Sequence, residues 1–161
     1  MKRLILVRHG KSSWKGDLPD HRRPLKKRGH RDGESVSKTF KEFYTAPARM
    51  WSSPAVRALE TAKIFKKKLE VHDEDFEIVK DLYTFNEDEL LRVIRSCPDQ
   101  VEKLMVFGHN PAMTNLVNSL GDKALDNLPT TGLCVIDFED GSWKEIKQGR
   151  TLITLLPKNL R

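Results

Sequence analysis

The amino-acid sequence predicts an α/β fold, with a mostly parallel central sheet, helices on both faces and antiparallel strands near the C-terminus. Two patterns support this. Up to Gly121, short apolar runs alternate with segments whose apolar residues recur at helical spacing. Beyond it, strand-like runs follow one another with turn residues between them. The chain has 161 residues and no recognisable linker, so residues 1–161 are expected to form a single domain.

The first strand is predicted at Leu4–Val7, an unbroken apolar run typical of a strand buried on both faces. It leads directly into Arg8, His9 and Gly10. Open α/β sheets bind ligands beyond the carboxyl ends of their parallel strands, where a glycine lets the backbone approach the ligand closely. These three residues are therefore candidates for a functional site.

A polar loop over residues 11–24 should pass over this strand end, because it contains glycine and prolines. A helix is predicted from about Lys26 to Tyr44. Its apolar residues recur at helical spacing, while two glycines weaken the prediction for its first half. These apolar residues are Val36, Phe40 and Phe43, and the glycines are Gly29 and Gly33.

A second strand is predicted at Arg49–Ser52, and Ser53-Pro54 signals the start of a helix because proline is favoured at the first helical position. Arg57 lies in the opening turns of that helix. Since helical side chains lean back toward the N-terminus, Arg57 should point to the same sheet edge as His9.

A third strand is predicted at Phe76–Val79, a helix at Glu87–Ser96 and a fourth strand at Lys103–Phe107. The fourth strand repeats the pattern of the first, because it ends in Gly108 and His109. Asn110 is expected to cap the next helix, Pro111 to begin it and Gly121 to end it. The remaining strands are predicted at Leu133–Phe138, Trp143–Ile146 and Thr151–Leu156, with Asp140-Gly141 as a hairpin turn.

Composition narrows the classes of partner. The formal net charge is +6, which favours anionic partners. The basic residues from Arg22 to Arg31 fit two interpretations, a surface that steers an acidic partner and a solvated basic face. Nucleic acid is disfavoured as a partner, because only 7% of residues are aromatic and no stacking or groove-reading motif occurs.

The two cysteines and the apolar segments bear on the cellular environment. Cys97 and Cys134 are expected to be free thiols. No signal peptide or membrane span is recognised, so a soluble, cytoplasmic protein without a membrane partner is expected.

The predicted strand ends bring Arg8, His9, Arg57 and His109 to one edge of the sheet. Two guanidinium groups would repel a metal ion, so no metal and no other cofactor is expected. Arginine forks match phosphate oxygens, and a neutral histidine can attack phosphorus and carry the phosphoryl group. The surrounding positive charge is expected to keep His9 neutral.

Three segments resemble the histidine phosphatase superfamily, also called phosphoglycerate mutase-like: Arg8-His9-Gly10, Ser53-Pro54-x-x-Arg57-Ala58-x-x-Thr61-Ala62 and Gly108-His109-Asn110-Pro111. The short chain and Asp20-x-x-Arg23-Pro24-Leu25 look like the SixA-type phosphohistidine phosphatases. The resemblance implies that His9 is the phosphorylated nucleophile and that Arg8, Arg57 and His109 hold the phosphoryl group. The expected substrate-binding set adds Gly10, Lys11 and Asn110.

The chain also departs from the pattern of the superfamily at the position of the proton donor. Larger phosphatases place an acidic residue where this chain has Asn110, and the glutamate-containing motif of mutase-like members is missing from residues 82–88. Asp20 is the candidate acid, although a loop aspartate beside basic residues is more often a salt-bridge residue. Glu87 and Asp88 are weaker candidates, since both also fit as acids in the first turn of a helix.

The sequence therefore predicts a metal-independent phosphatase that removes phosphate from phosphohistidine on a partner protein. Phosphate, vanadate and tungstate are expected to bind the same site. Two alternatives stay open at this point: a phosphatase for small phosphomonoesters, and a module that binds phosphorylated ligands without catalysis. A nucleophile at His9 favours an enzyme over the module, because binding alone needs only the arginines.

Overall fold

The computed structural model describes residues 1–161 and contains six strands and four α-helices. The strands are β1 (Lys2–Arg8), β2 (Arg49–Ser52), β3 (Phe76–Ile78), β4 (Lys103–Gly108), β5 (Leu133–Phe138) and β6 (Arg150–Leu155). The helices are α1 (Lys27–Phe43), α2 (Val56–Leu69), α3 (Glu87–Arg95) and α4 (Ala112–Leu120).

All six strands form one sheet in the order β3-β2-β4-β1-β5-β6. The four strands from β3 to β1 are parallel, while β5 runs antiparallel to β1 and β6 antiparallel to β5. Arg8 lies opposite Gly108, and Ser52 lies opposite Phe107. The carboxyl ends of β1, β2 and β4 are therefore level with one another at one edge.

The two faces of the sheet bury separate apolar clusters. Side chains alternate along a strand, so Leu4 and Leu6 of β1 pack with α3 and α4, and Ile5 and Val7 pack with α1 and α2. Central strands that are buried on both faces explain the unbroken apolar runs of the sequence. The predicted α/β fold class is confirmed, including the antiparallel strands near the C-terminus.

Two details at the helix ends correct the predictions. α2 begins at Val56 with Ala55 as its N-cap, so Pro54 is not its first residue, and the hydroxyl of Ser53 accepts a hydrogen bond from the Ala55 amide instead. Phe43 is 69% exposed at the last turn of α1 and does not join the buried face of that helix, which Val36 and Phe40 occupy.

The two glycines of α1 support close packing of the helix. A Cβ at Gly29 would lie 2.6 Å from the carbonyl oxygen of Lys11, and one at Gly33 would lie 2.9 Å from the side chain of Ile64. The first half of α1 is therefore helical as predicted, and its glycines let the preceding loop and α2 approach it.

The predicted strand at Trp143–Ile146 is wrong. Residues Trp143–Glu145 form a 3-10 turn, and β5 pairs directly with β6. The indole of Trp143 is fully buried and its Nε1–H donates to the carbonyl of Val101 at 2.7 Å, while its amide donates to Asp99. Burial of this large side chain against the loop before β4 outweighs pairing with β5.

Two further findings concern the cysteines and the helices. Cys97 and Cys134 are buried free thiols, as predicted. None of the helices combines the length and apolar character that a membrane crossing requires.

Candidate active site

Backbone hydrogen bonds fix the strand ends that carry the site. The amide of His9 donates to Gly108 at 3.1 Å, and the amide of Ser53 donates to Phe107 at 3.0 Å. Because β5 is antiparallel to β1, the loop that enters β5 lies at the same edge. In that loop the amide of Thr131, held at φ 59°, donates to the carbonyls of both Arg8 and His9. Contacts from β4 and from this loop thus hold the backbone of His9.

His9 is buried, and its imidazole has one defined orientation. Nδ1 lies 2.7 Å from the carbonyl oxygen of Gly10 and must carry the proton to donate to it, while Nε2 accepts from Nε of Arg57 at 3.4 Å. Burial lowers the pKa of His9 from 6.5 to about 4; the hydrogen bond to Gly10 opposes this, and the charges of Arg57, Arg8 and Arg23 add to it. The ring is neutral at physiological pH, with a lone pair on Nε2.

The turn after His9 is tied to helix α2. The amide of Gly10 donates to Oγ1 of Thr61 at 2.9 Å, and that hydroxyl donates to the carbonyl of Arg57. A Cβ at Gly10 would lie 3.1 Å from Leu25 and from Thr131. Gly10 therefore positions His9 through close packing, and its amide is not free for a substrate.

Arg57 is the centre of the side-chain network and is only 2% exposed. Beyond His9, its guanidinium donates to the backbone carbonyl of Asp20 at 2.7 Å and to the carboxylate of Asp20 at 2.9 Å. Nη2 also lies 3.4 Å from Nδ1 of His109. One arginine thus links the nucleophile candidate, the second histidine and the loop after β1.

Arg8 supplies the second positive charge of the site. Its Nη1 donates to the carbonyl of Leu128 at 3.1 Å, and its buried Nε has no acceptor within the protein. Burial and the charge of Arg57 lower the pKa of Arg8. Two guanidinium groups held together at the end of β1 destabilise each other, and a bound anion would relieve this repulsion.

His109 lies beside His9, with ring centroids 5.3 Å apart. Its Nε2 is 2.8 Å from the hydroxyl of Ser53, so in the neutral ring Nε2–H donates to Ser53 and Nδ1 accepts from Arg57. Burial, together with the neighbouring His9 and Arg57, lowers the pKa of His109 to about 3. Neither imidazole adds a positive charge, so the cationic character of the site comes from arginine.

The carboxylate of Asp20 lies in the site as an ionised group. It accepts from Arg57, from the hydroxyl of Tyr83 at 2.5 Å and from Arg23 at 3.3 Å. Partial burial raises the pKa of Asp20, but the hydrogen bonds from Tyr83 and Arg57 and the charge of Arg57 outweigh it and lower the pKa to about 2. In this arrangement Asp20 is an acceptor and has no proton to donate.

A cavity of about 280 Å³ opens at this edge. It is lined by Arg8, His9, Arg57, His109 and Asp20, and also by Lys11, Ser12, Trp14, Arg23, Phe85, Asn110 and Thr130. Asp20 is the only carboxylate among these residues. The cavity is therefore a small, predominantly cationic pocket with a neutral imidazole nitrogen inside it.

The structure brings most of the predicted site residues together, with differences in detail. Lys11 lies at the mouth and is exposed. Asn110 also lines the cavity, but its side chain is engaged by Asn127, Leu128 and Thr114. Its Oδ1 accepts from the Thr114 amide in the first turn of α4, as a cap would, but the N-cap position belongs to Pro111 and the helix begins at Ala112, one residue later than predicted. The contact of Asn110 with substrate stays a prediction.

The two weaker acid candidates lie outside the cavity. Glu87 accepts from Ser119 of α4, and Asp88 is exposed on α3. Four contributors were not predicted as site residues: Ser53, Thr61, Arg23 and Tyr83. The first three belong to the motifs that resemble the superfamily, so the sequence could have predicted them as site residues. No motif contains Tyr83.

A comparison with known proteins places these segments in a family. A model of the histidine phosphatase superfamily, branch 1, matches residues 4–87, just over half of the chain. A relative from Arabidopsis thaliana, an uncharacterized chloroplastic protein, is 29% identical over an alignment of 154 residues that covers 89% of this chain and 70% of that protein.

Two solved structures share the whole fold. SixA from Agrobacterium tumefaciens superposes with a TM-score of 0.82 at 24% identity, covering 97% of this chain and 98% of that chain. A protein histidine phosphatase SixA in complex with tungstate gives a TM-score of 0.83 at 20% identity, covering 99% of both chains. The fold of this chain is therefore the fold of the SixA proteins over its full length.

Proposed function

Because the chain belongs to the histidine phosphatase superfamily, we propose that it removes phosphate from phosphohistidine on a partner protein, with His9 as the nucleophile. The observation that carries the proposal is the state of His9: a neutral ring with Nδ1–H bound to Gly10 and the Nε2 lone pair facing Arg57. Nε2 attacks phosphorus, the bond from phosphorus to the substrate nitrogen breaks, and the substrate imidazole leaves. Water then attacks the phosphohistidine at His9 and releases phosphate.

The arginines supply the charge that this transfer needs. Arg57 lies 3.4 Å from Nε2 and Arg8 lines the same cavity, and both can donate to the oxygens of a transferring phosphoryl group. For this to happen Arg57 must exchange its bonds to Asp20 for bonds to the phosphoryl group. The similarity of the fold to a SixA structure that holds tungstate supports oxyanion binding by this chain.

The missing proton donor supports phosphohistidine as the substrate class. Expulsion of an alkoxide from an alkyl phosphate needs a general acid, which typically contributes ~10²–10⁴-fold. The only carboxylate of the cavity, Asp20, is ionised with a pKa of about 2. An imidazole has a side-chain reference pKa of ~6.5 and leaves as a neutral ring from protonated phosphohistidine, so it needs no such acid.

The test compares three leaving groups at one pH and ionic strength. We expect kcat/KM to be highest for a phosphohistidine protein or phosphoramidate, intermediate for an aryl phosphate and lowest for an alkyl phosphate. Rapid quench under alkaline conditions, which preserve phosphohistidine, should trap phosphate on His9. If the alkyl ester is the best substrate, a phosphomonoesterase replaces this proposal. Binding without turnover of any of the three would identify a module that only binds phosphorylated ligands.

A further inference from the structure

Large apolar side chains are exposed around the mouth of the active-site cavity. Trp14 is 75% exposed and Phe85 is 48% exposed, and both line the same cavity as His9 and Arg57. Trp14 belongs to the loop after β1 and Phe85 to the loop before α3. Exposed apolar side chains that cluster at a cavity mouth indicate a surface that is covered on binding.

Trp14 is held in place although it is exposed. The guanidinium of Arg23 lies 3.6 Å from the centroid of the indole ring. Arg23 is itself buried and is fixed by Nη1, which donates to the hydroxyl of Ser12 at 2.9 Å, and by Nε, which donates to Asp20. A stack on a buried guanidinium restricts the indole before any partner arrives, so binding costs little additional side-chain entropy.

Phe85 is also held in place, by packing against two aromatic rings. Its ring meets the edge of His109 at a centroid distance of 5.5 Å and the ring of Tyr83 at 5.8 Å. Trp14 and Phe85 thus present two rigid aromatic surfaces next to the arginine clamp, which consists of Arg8 and Arg57. Rigid aromatic anchors of this kind dominate the energetics of protein interfaces.

The polar side chains beside Trp14 are mostly basic. Lys11, Lys15 and Arg22 are exposed in or next to the same loop, against Asp17 and the ion-paired Asp20. Free phosphate would be bound by Arg8 and Arg57 alone and would not need Lys15 or Arg22. A polypeptide with acidic side chains would match their charge.

We infer that Trp14 and Phe85 form a docking rim for a segment of a partner protein that carries phosphohistidine beside an apolar side chain and acidic residues. The inference rests on the proposed function and adds the feature of the substrate that is recognised. The phosphoryl group enters the clamp, the neighbouring apolar side chain packs on the rim, and the acidic residues meet Lys11, Lys15 and Arg22. Trp14 and Phe85 here act in recognition and take no part in the chemistry.

The test uses synthetic peptides phosphorylated on a single histidine and flanked by glutamates. One peptide has leucine next to the phosphohistidine, and its partner has serine there. We expect the wild type to hydrolyse the leucine peptide with a kcat/KM about tenfold higher, mainly through KM. Trp14→Ala should bring this preference close to one while leaving the serine peptide within about twofold, and Phe85→Ala should reduce the preference partly. Phe43→Ala, which removes an aromatic side chain that is 69% exposed at the last turn of α1, is the matched control.

Each result decides a separate point. If Trp14→Ala lowers kcat/KM for both peptides equally, Trp14 holds Arg23 in place and the docking rim is wrong. Equal hydrolysis of the two peptides by the wild type also overturns it, although hydrolysis of both leaves the proposed function intact. A wild type that hydrolyses neither peptide overturns the proposed function and this inference with it. Replacing the flanking glutamates by lysines should lower kcat/KM, and an unchanged value would refute the role of the basic residues.

Discussion

A decrease in pH from about 7.5 to about 5.5 should leave the His9 ring neutral, in contrast to an ordinary histidine. The prediction follows from the packing of His9, which is buried beside Arg57 and Arg8 and already uses its Nδ1–H on Gly10. A proton on Nε2 would add a positive charge to a pocket that Arg8, Arg23 and Arg57 already line. The His9 ring should therefore stay neutral at pH values where an ordinary histidine is protonated.

The size of the effect follows from the lowered pKa. The drop from 6.5 to about 4 corresponds to ~3 kcal/mol against the imidazolium of His9. At a pH of about 5.5, roughly 97% of His9 is then neutral, compared with roughly 9% for an imidazole with the unperturbed pKa.

The assay is an NMR titration of protein labelled with ¹⁵N-histidine. The chain has five histidines, and loss of one set of signals in His9→Ala identifies those of His9. The ¹⁵N shift of Nε2 should keep its unprotonated value down to a pH of about 5. A titration midpoint near 6.5, the ordinary pKa of histidine, would refute the reasoning, because burial would then not lower the pKa of His9.

The same shift makes stability depend on pH. Between about pH 6.5 and pH 4 the unfolded chain protonates His9 while the folded chain does not, so the unfolded state binds more protons and stability falls as pH falls. Between about pH 7 and pH 5 the wild type should lose ~2 kcal/mol more unfolding free energy than His9→Ala. Urea denaturation at the two pH values measures the difference, and equal losses in both proteins would contradict it.

Three further predictions concern catalysis. His9→Ala should abolish turnover but keep tungstate binding, and turnover at near the wild-type rate would exclude His9 as nucleophile. Arg57→Ala should weaken tungstate binding about 10- to 100-fold, because hydrogen bonds to charged groups are lost. Calorimetry measures both affinities. EDTA should not inhibit, because Arg8 and Arg57 supply the charge that Mg²⁺ supplies elsewhere; activity lost in EDTA and restored by a divalent ion would show otherwise. Iodoacetamide should leave kcat/KM unchanged, since burial raises the pKa of Cys97 to about 12 and of Cys134 to about 11; rapid inactivation would be the contrary result.

The sequence predicts the placement of the central site residues because two simple patterns determine it. Unbroken apolar runs mark buried parallel strands, and such strands end at one edge, so His9 and His109 meet there. Arg57 follows because the opening turn of a helix points to that edge. The expected neutrality of His9 is also correct in direction, although burial contributes more than the positive charge named in the prediction.

Other features depend on contacts between distant segments, which local patterns do not contain. Asp140-Gly141 looks like a hairpin turn, yet the burial of Trp143 against Val101 decides the structure of the next residues. The bond from Tyr83 to Asp20 joins two loops that are 63 positions apart. It helps to make Asp20 an ionised acceptor, which no reading of the loop alone could reveal.

The central position of β1 also affects how the protein is made. The two neighbours of β1 in the sheet lie far along the chain, at Lys103–Gly108 (β4) and Leu133–Phe138 (β5). During synthesis this apolar strand therefore has no partner in the sheet until β4 has been made. The backbone of His9 is completed later still, by Thr131. A nascent chain thus contains His9 long before the segments that surround it in the folded site, and we expect the exposed strand to be a target for chaperones in that interval.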